Sequence, residues 1–303
     1  KIVFHSSDKE REQELAHAFG TGVLSDGHGF EIVPLAAKPA AIPCDVACMV
    51  GVKSARLFHA CKEAGQQILY FDKGYVRGRR AESRTWEFWR VSLDAHHPTE
   101  TTLMRHKMPP DRLEALELEI KPCRKRGLQI VVAGSSAKYH EFYGLPDPSE
   151  YARLLIKDLR RRSDKPIIYR PKPSWREAVP IRGSTFSQAG DGIMSVLLNA
   201  HCLITHGSNA CFEAALMGIP SIILGDAVAK PISSTSLDDL GHPRLGKRHQ
   251  WLQNLAYHQW TIDEMRSGEA WQTIGGWING RAKRALSTSG AGSDATSFEI
   301  EDL

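Results

Sequence analysis

Residues 201–226 read HCLITHGSNACFEAALMGIPSIILGD, and the fold turns on how this stretch alternates between buried and chain-turning residues. Cys202–Thr205 is a short apolar run of the length of a buried strand. His206, Gly207, Ser208 and Asn209 can turn the chain, Ala210–Met217 places Phe212, Ala215 and Leu216 on one helical face, and Ser221–Leu224 is a second buried strand. Strand, helix and strand of these lengths make a parallel βαβ unit. Its turn delivers Gly207, Ser208 and Asn209 to the helix N-terminus, where unpaired N–H groups and the dipole favour an anion. Gly207 lets a bulky anion approach the backbone, and Ser208 or Asn209 can cap the helix or bind a phosphate oxygen. Glu213 lies one turn further on, on the same edge, where an acid suits ribose hydroxyls. A nucleotide diphosphate pocket follows. The plainer alternative is an ordinary βαβ unit with Asn209 as cap and Glu213 in solvent.

The chain around this unit has 303 residues, of which 42% are apolar and 24% charged, so a soluble protein of two domains is expected. No run approaches the roughly 20 apolar residues of a membrane span. Lys1–His5 reads as a strand, not a signal peptide, although a chain starting at Lys1 leaves room for a removed leader. The six cysteines show no paired zinc spacing, so no metal is expected and a reducing cytoplasm is the simplest home, the host's cytoplasm if the protein is viral. Upstream, Lys1–His5, Phe30–Leu35, Asp45–Val52 and Gln67–Asp72 read as strands, and strands alternating with helices of this length imply a doubly wound parallel sheet. Ligands in such sheets sit beyond the strands' carboxyl ends, where His5 and Asp72 fall.

Beyond Asp72 the texture changes. Arg77, Arg79, Arg80, Arg84 and Arg90 alternate with Tyr75, Trp86, Phe88 and Trp89, a mixture suited to a nucleic-acid groove, since guanidinium forks bind phosphates and aromatic faces stack on bases. The competing reading is a solvated loop followed by a core strand over Trp86–Leu93. His96 and His97 read as surface or satisfied core residues. Met104–Glu119 has helical spacing interrupted by Pro109 and Pro110, and Lys121–Arg126 is a basic connector suited to an interdomain hinge. Leu128–Ala133 is a buried strand ending in a second polar turn, Gly134, Ser135 and Ser136. Ser149 is the expected cap of a helix over Glu150–Arg161, whose last arginines compensate the dipole. Trp251–Trp260, Ile262–Ala270 and Trp271–Leu286 read as helices, and the Gly/Ser-rich residues 287–303 as a disordered tail. The expected division is 1–120, a hinge at 121–127, a second domain at 128–250, and C-terminal helices over 251–286 that pack back across the cleft.

His206–Glu213 (HGSNACFE), followed by Gly218, Ile219, Pro220 and a buried strand, resembles the donor motif of GT-B glycosyltransferases, in particular the peptidoglycan N-acetylglucosaminyl and capsular polysaccharide transferases. The likeness covers roughly residues 128–230. It implies two Rossmann-like doubly wound α/β domains facing across a cleft, with the diphosphate of a nucleotide sugar, a UDP-sugar by preference, held by the turn and its ribose by Glu213. No other cofactor is implied. Arg170 and Lys172 fall where capsule-type and sialyl transferases carry an Arg-Pro-His-Pro or His-Pro motif. Lys172 replaces the histidine, which keeps a cation for phosphate. Ser233 and Ser234 resemble a Ser-Ser/Thr element after the nucleotide site, and Asp226, directly after a strand, could bind sugar hydroxyls.

Sugar transfer also needs a base for the acceptor hydroxyl, expected from the facing domain: Asp72 first, His5 second. With no Asp-x-Asp motif in a plausible place, metal-independent direct displacement with inversion is expected. For the acceptor, the Arg and aromatic loop favours a hydroxymethylated pyrimidine in viral DNA, as in the viral DNA glucosyltransferases, with a capsular or cell-surface glycan as the alternative. A nucleotide-sugar epimerase and a non-catalytic nucleic-acid-binding protein are the rivals from other classes. The sequence leaves the oligomeric state open.

Overall fold

A computed structural model describes residues 1–36, 40–51, 54–76, 88–98, 103–104, 107–124, 126–188 and 190–278. In the first lobe, β1 (Ile2–Ser6), β2 (Phe30–Pro34), β3 (Val46–Val50), β4 (Gln67–Lys73) and β5 (Trp89–Leu93) share one sheet. β1, β3 and β5 are buried along their whole length, which explains the apolar run of β3, while β5 alternates apolar residues with the buried Arg90 and Ser92. The order is β11-β5-β4-β3-β1-β2, parallel from β2 to β4 and antiparallel at β5. The sixth strand, β11 (Gln259–Trp260), comes from the other end of the chain and pairs antiparallel with β5.

Helix α1 (Glu10–Ser25) opens with Glu10 and Glu12 in its first turn, which suits the dipole, and buries Leu15, Phe19 and Val23. Phe19 is fully buried against Phe4, Phe71 and Trp271, a side chain worth about 1.5–3 kcal/mol of burial. Helix α2 (Ala55–Glu63) covers the sheet with Leu57, Phe58 and Cys61.

Within Met104–Glu119, where helical spacing is expected, the described residues place α3 (Asp111–Ala115), which follows Pro109 and Pro110. The connector that follows is bound to the second lobe: Lys121 N–H donates to the Leu216 carbonyl at 2.8 Å and Arg124 N–H to that of Gly218 at 2.7 Å. Gly218 has a φ of +72°, and a Cβ there would collide with the Pro122 carbonyl, so glycine is required twice over.

The second lobe contains β6 (Gln129–Ala133), α4 (Ala137–Phe142), α5 (Pro148–Arg162), β7 (Ile167–Arg170), β8 (Thr185–Phe186), α6 (Ile193–Leu197), β9 (Ala200–Thr205), α7 (Ala210–Leu216) and β10 (Ser221–Ile223). All five strands are parallel, in the order β10-β9-β6-β7-β8. The cap of α5 is Asp147, which accepts the Ser149 N–H at 2.8 Å, with Pro148 at the first helical position. The helix therefore starts earlier than expected, and Ser149 is not its cap. Its last arginines do more than offset the dipole: Arg160 donates to the carbonyls of Gly183 and Lys165, and Arg162 pairs with Asp158 and Asp238.

The chain then returns to the first lobe. Instead of one helix over Trp251–Trp260, α8 (Arg248–Ala256) ends and β11 follows, so Trp260 is buried beside β5. Helix α9 (Ile262–Ser267), started by a capping box between Thr261 and Glu264, packs on α1. Among the described residues no helix is long and apolar enough to cross a membrane. The tail at 287–303 lies outside the described residues.

Candidate active site

In the second sheet the chain runs from β6 outward to β7 and β8, then crosses to the other side of β6 to form β9 and β10. The loops leaving β6 and β9 therefore diverge, and the crevice between them is the topological switch point where α/β sheets bind ligands. Gly134, Ser135 and Ser136 form one side, and Gly207, Ser208 and Asn209 the other. Arg170, Lys172 and Pro173 after β7, together with Glu213 on α7, complete the second lobe's share of a cleft of about 340 Å³. Asp72, Lys73, Gly74, Tyr75, Arg90 and His96 close it from the first lobe.

The reason for Gly207 differs from the expected one. A Cβ there would collide with the Tyr139 hydroxyl, so the glycine makes room for a tyrosine ring and not only for a ligand. Thr205 Oγ1 accepts the Ser208 N–H at 2.9 Å, and Ser208 Oγ accepts that of Ala210 at 3.3 Å, while Asn209 makes no capping bond. Ser135 lines the cleft and is 5% exposed, and its buried Oγ has no hydrogen-bond partner among the described residues. Desolvation lowers the pKa of Lys172. Asp72 across the cleft raises it, and Arg90 and Lys73 lower it, so three charges of the facing lobe act on one ammonium.

The first lobe contributes a buried polar cluster that sequence reasoning missed. Arg90 is 1% exposed, and its guanidinium donates to Asp72 Oδ2 at 3.1 Å, Tyr75 Oη at 2.7 Å, His97 Nδ1 at 2.7 Å and His96 Nε2 at 3.1 Å. Burial opposes ionisation of Asp72, but Arg90, His96 and the Lys73 N–H outweigh it and hold the carboxyl well below its usual range. Burial lowers the pKa of His96, only partly offset by Asp72, and holds that of His97 well below the usual value, with Arg90 and His96 adding to the effect. Both rings are neutral near pH 7. Because arginine only donates, His96 Nε2 is an acceptor and its proton sits on Nδ1, 3.4 Å from Tyr143 Oη. Tyr143 in turn donates to Asp226 Oδ2 at 2.8 Å. The signal for this cluster was the alternation within Trp86–Leu93: a strand that buries Trp89, Val91 and Leu93 against the core also buries Arg90 and Ser92 on its other face.

The cleft brings together Asp72, Tyr75, Gly134, Ser135, Arg170, Lys172, Gly207, Ser208, Asn209 and Glu213 from the sequence-derived set. It does not gather the rest. His5 is 3% exposed at the end of β1 and is not among the lining residues, because β1 is covered on both faces. His206 turns away from the cleft toward Tyr139 and Tyr151, and burial lowers its pKa to about 4. Ser233 Oγ donates to the Ala229 carbonyl, and Ser234 Oγ accepts the Arg244 N–H, so both hydroxyls serve the local fold. Asp226 lines a different hollow, behind Tyr143. Tyr75, expected as a stacking surface, is 5% exposed, with its hydroxyl committed to Arg90 and His97. Arg77, Arg79, Arg80, Arg84 and Trp86 lie outside the described residues.

Two doubly wound α/β sheets facing each other across a ligand-sized cleft define the GT-B architecture. Two solved structures share it over most of their length. One is a beta Kdo 2,4 transferase, KpsC of Thermosulfurimonas dismutans, with 12% identity and a TM-score of 0.52 over 85% of this chain and 91% of that one. The other is the beta Kdo 2,7 transferase of KpsC from the same organism, with 13% identity and a TM-score of 0.50 over 88% and 98%. At these identities the likeness is one of fold. No protein-family model matches the sequence, and no curated protein matches it.

Proposed function

We propose that this protein is a glycosyltransferase that moves a sugar from a nucleotide donor bound by the second lobe to a glycan hydroxyl presented from the first. The observation that carries this reading is the meeting of two polar Gly-Ser turns, Lys172 and Arg170 with the ionised Asp72 of the facing lobe, all in one cleft. The turns and cations suit the departing phosphates, and Glu213, half-buried on α7, suits the ribose. In the proposed step the acceptor oxygen attacks the anomeric carbon, the bond to the phosphate oxygen breaks, and the hydroxyl proton passes to Asp72. The depressed basicity of Asp72 means that the proton transfers late, once C–O bond formation has made the hydroxyl strongly acidic. Direct displacement of this kind inverts the anomeric centre.

A UDP-sugar is the first donor to test. The KpsC neighbours are Kdo transferases, and the cations Lys73, Arg170 and Lys172 also suit an acidic sugar of that kind. A glycan suits the acceptor side better than DNA, because Tyr75 and Arg90 are built into the cleft floor and are not free to grip bases or phosphates. A thermal-shift panel of UDP-hexoses, UDP-N-acetylhexosamines and CMP-activated acidic sugars tests the donor. A ligand at about 100 times its Kd stabilises by roughly 2.7 kcal/mol, and no shift with any of them contradicts the reading. Salt-sensitive binding of duplex DNA would reinstate the nucleic-acid acceptor.

A further inference from the structure

Each of the two helices that follow the polar turns of the cleft is gripped by the facing lobe. α4 follows Gly134, Ser135 and Ser136, and its last residue, Phe142, is buried in a core cluster whose other buried members all come from β3, α2 and β4 of the first lobe. Its ring stands 5.2 Å from that of Phe58, 5.4 Å from that of His59 and 5.6 Å from that of His96. The start of the same short helix is tied to the second lobe. Ser136 Oγ accepts the Tyr139 N–H, and the Tyr139 hydroxyl, in the space that Gly207 leaves, donates to the Asp226 carbonyl at 3.0 Å. α7 follows Gly207, Ser208 and Asn209, and there the exchange runs the other way. Tyr75 and Val76 of the first lobe are buried in the core that contains Phe212 of α7, with the Tyr75 and Phe212 rings 5.8 Å apart.

We propose that Phe142, with Tyr75 as its counterpart, is a positioning residue that locks the two lobes at one separation before any substrate binds, a role that rests on the glycosyltransferase reading of the cleft. Transfer needs the base on one lobe and the donor on the other to stand within a narrow range of distances, since a misplacement of about 1 Å costs on the order of 100-fold in rate. Where two lobes swing on a hinge, that distance is set only when the substrates draw them together. Here a side chain of each lobe lies in the core of the other, so opening the cleft would withdraw two aromatic rings from packed surroundings into water. Phe142 does not line the cleft, and it acts on the base through His96, whose Nε2 lies 3.8 Å from Asp72 Oδ2. Tyr75 acts through Arg90, which donates both to its hydroxyl and to Asp72. The base and both polar turns therefore form one preorganised frame.

The test is the distance between the lobes, read by pulsed EPR on the full chain with nitroxides at Leu24→Cys on α1 and Leu154→Cys on α5, two exposed positions, in a background carrying Cys44→Ser and Cys123→Ser. One narrow distance distribution is expected without ligand, and it should move by less than about 2 Å on addition of UDP or CMP. Phe142→Ala should broaden it by about twofold or more, as lobes freed to hinge do. Phe142→Leu, a smaller change, carries the same expectation should Phe142→Ala fail to fold. A substitution that only weakens packing lowers Tm and leaves the width of the distribution unchanged. A broad distribution in the labelled background, a shift beyond about 2 Å with bound nucleotide, or an unchanged width in the folded Phe142 variants overturns the assignment. Calorimetric titration of the same samples with the nucleotides keeps the two readings apart. A narrow distribution in a protein that binds no nucleotide removes the glycosyltransferase reading and leaves the lock standing. Nucleotide binding that draws the lobes together does the reverse.

Discussion

Replacing Arg90 with methionine removes the cation at the centre of the first lobe's polar cluster while keeping most of the buried volume. The guanidinium is 1% exposed and donates to Asp72, Tyr75, His96 and His97, so its loss strands one carboxylate and one imidazole nitrogen. Removing one partner of a buried ion pair costs about 3–5 kcal/mol. The Asp72 side chain is 31% exposed, so water compensates part of this, and roughly 2–3 kcal/mol is the discounted expectation. At roughly 2–4 °C per kcal/mol for a chain of this size, Tm should fall by about 4–12 °C. The pH dependence is a sharper test. The folded pKa of Asp72 lies below its unfolded value of about 3.9, so its ionisation stabilises the wild type above that pH, and the contribution is lost as pH falls toward the folded value. The stability gap between wild type and Arg90→Met, followed by urea denaturation from neutral to acid pH, should therefore narrow on acidification. Pairing with Asp72→Asn should give a coupling of about 1 kcal/mol or more. An unchanged urea midpoint at neutral pH, or a gap that widens in acid, would refute the idea that Arg90 holds Asp72 ionised.

Gly207→Ala should destabilise by about 1–3 kcal/mol and displace Tyr139 from the Asp226 carbonyl, 3.0 Å away, visible as a lowered Tm and a shifted ring in a crystal structure. Burial depresses the folded pKa values of His206 and His258 to about 4, so both should titrate near that value by NMR. Their neutral forms add stability that is complete above the unfolded pKa of about 6.5 and is lost as pH falls toward 4. Titration of either near 6.5 in the native protein would exclude this burial effect. Ser136 Oγ accepts the Tyr139 N–H at 3.3 Å at the start of α4, so Ser136→Ala should cost about 0.5–2 kcal/mol in denaturant titrations.

The sequence made the centre of the second sheet legible because β6, β9 and β10, largely buried, run almost wholly apolar, and because polar Gly-Ser turns mark where β6 and β9 end. What it concealed was non-local. Gln259 and Trp260 look like the end of a helix, and only pairing with β5, some 170 residues earlier in the chain, makes them a strand. Arg90 looks like one more cation in a basic loop until Tyr75, His96 and His97 close around it. Gly207 carries the signature of an anion turn, yet the side chain that requires it is Tyr139, from another segment. His206 and Asp226 follow strand ends, as site residues often do, but strand ends say nothing about which way a side chain turns. α4 is short and has no strong amphipathic pattern. Its weight lies in Phe142 and Tyr143, which meet Phe58 and His96 of the opposite lobe.

The proposal that a sugar nucleotide sits between the β6 and β9 turns is tested most directly by calorimetric titration of the wild type, Lys172→Ala and Glu213→Ala with the nucleotide sugar that gives the largest thermal shift. Each lost charge-assisted contact is worth roughly 1.5–3 kcal/mol, so one-to-one binding by the wild type should weaken about 10- to 100-fold in each variant. Binding of equal strength in all three proteins would place the nucleotide elsewhere and contradict the assignment.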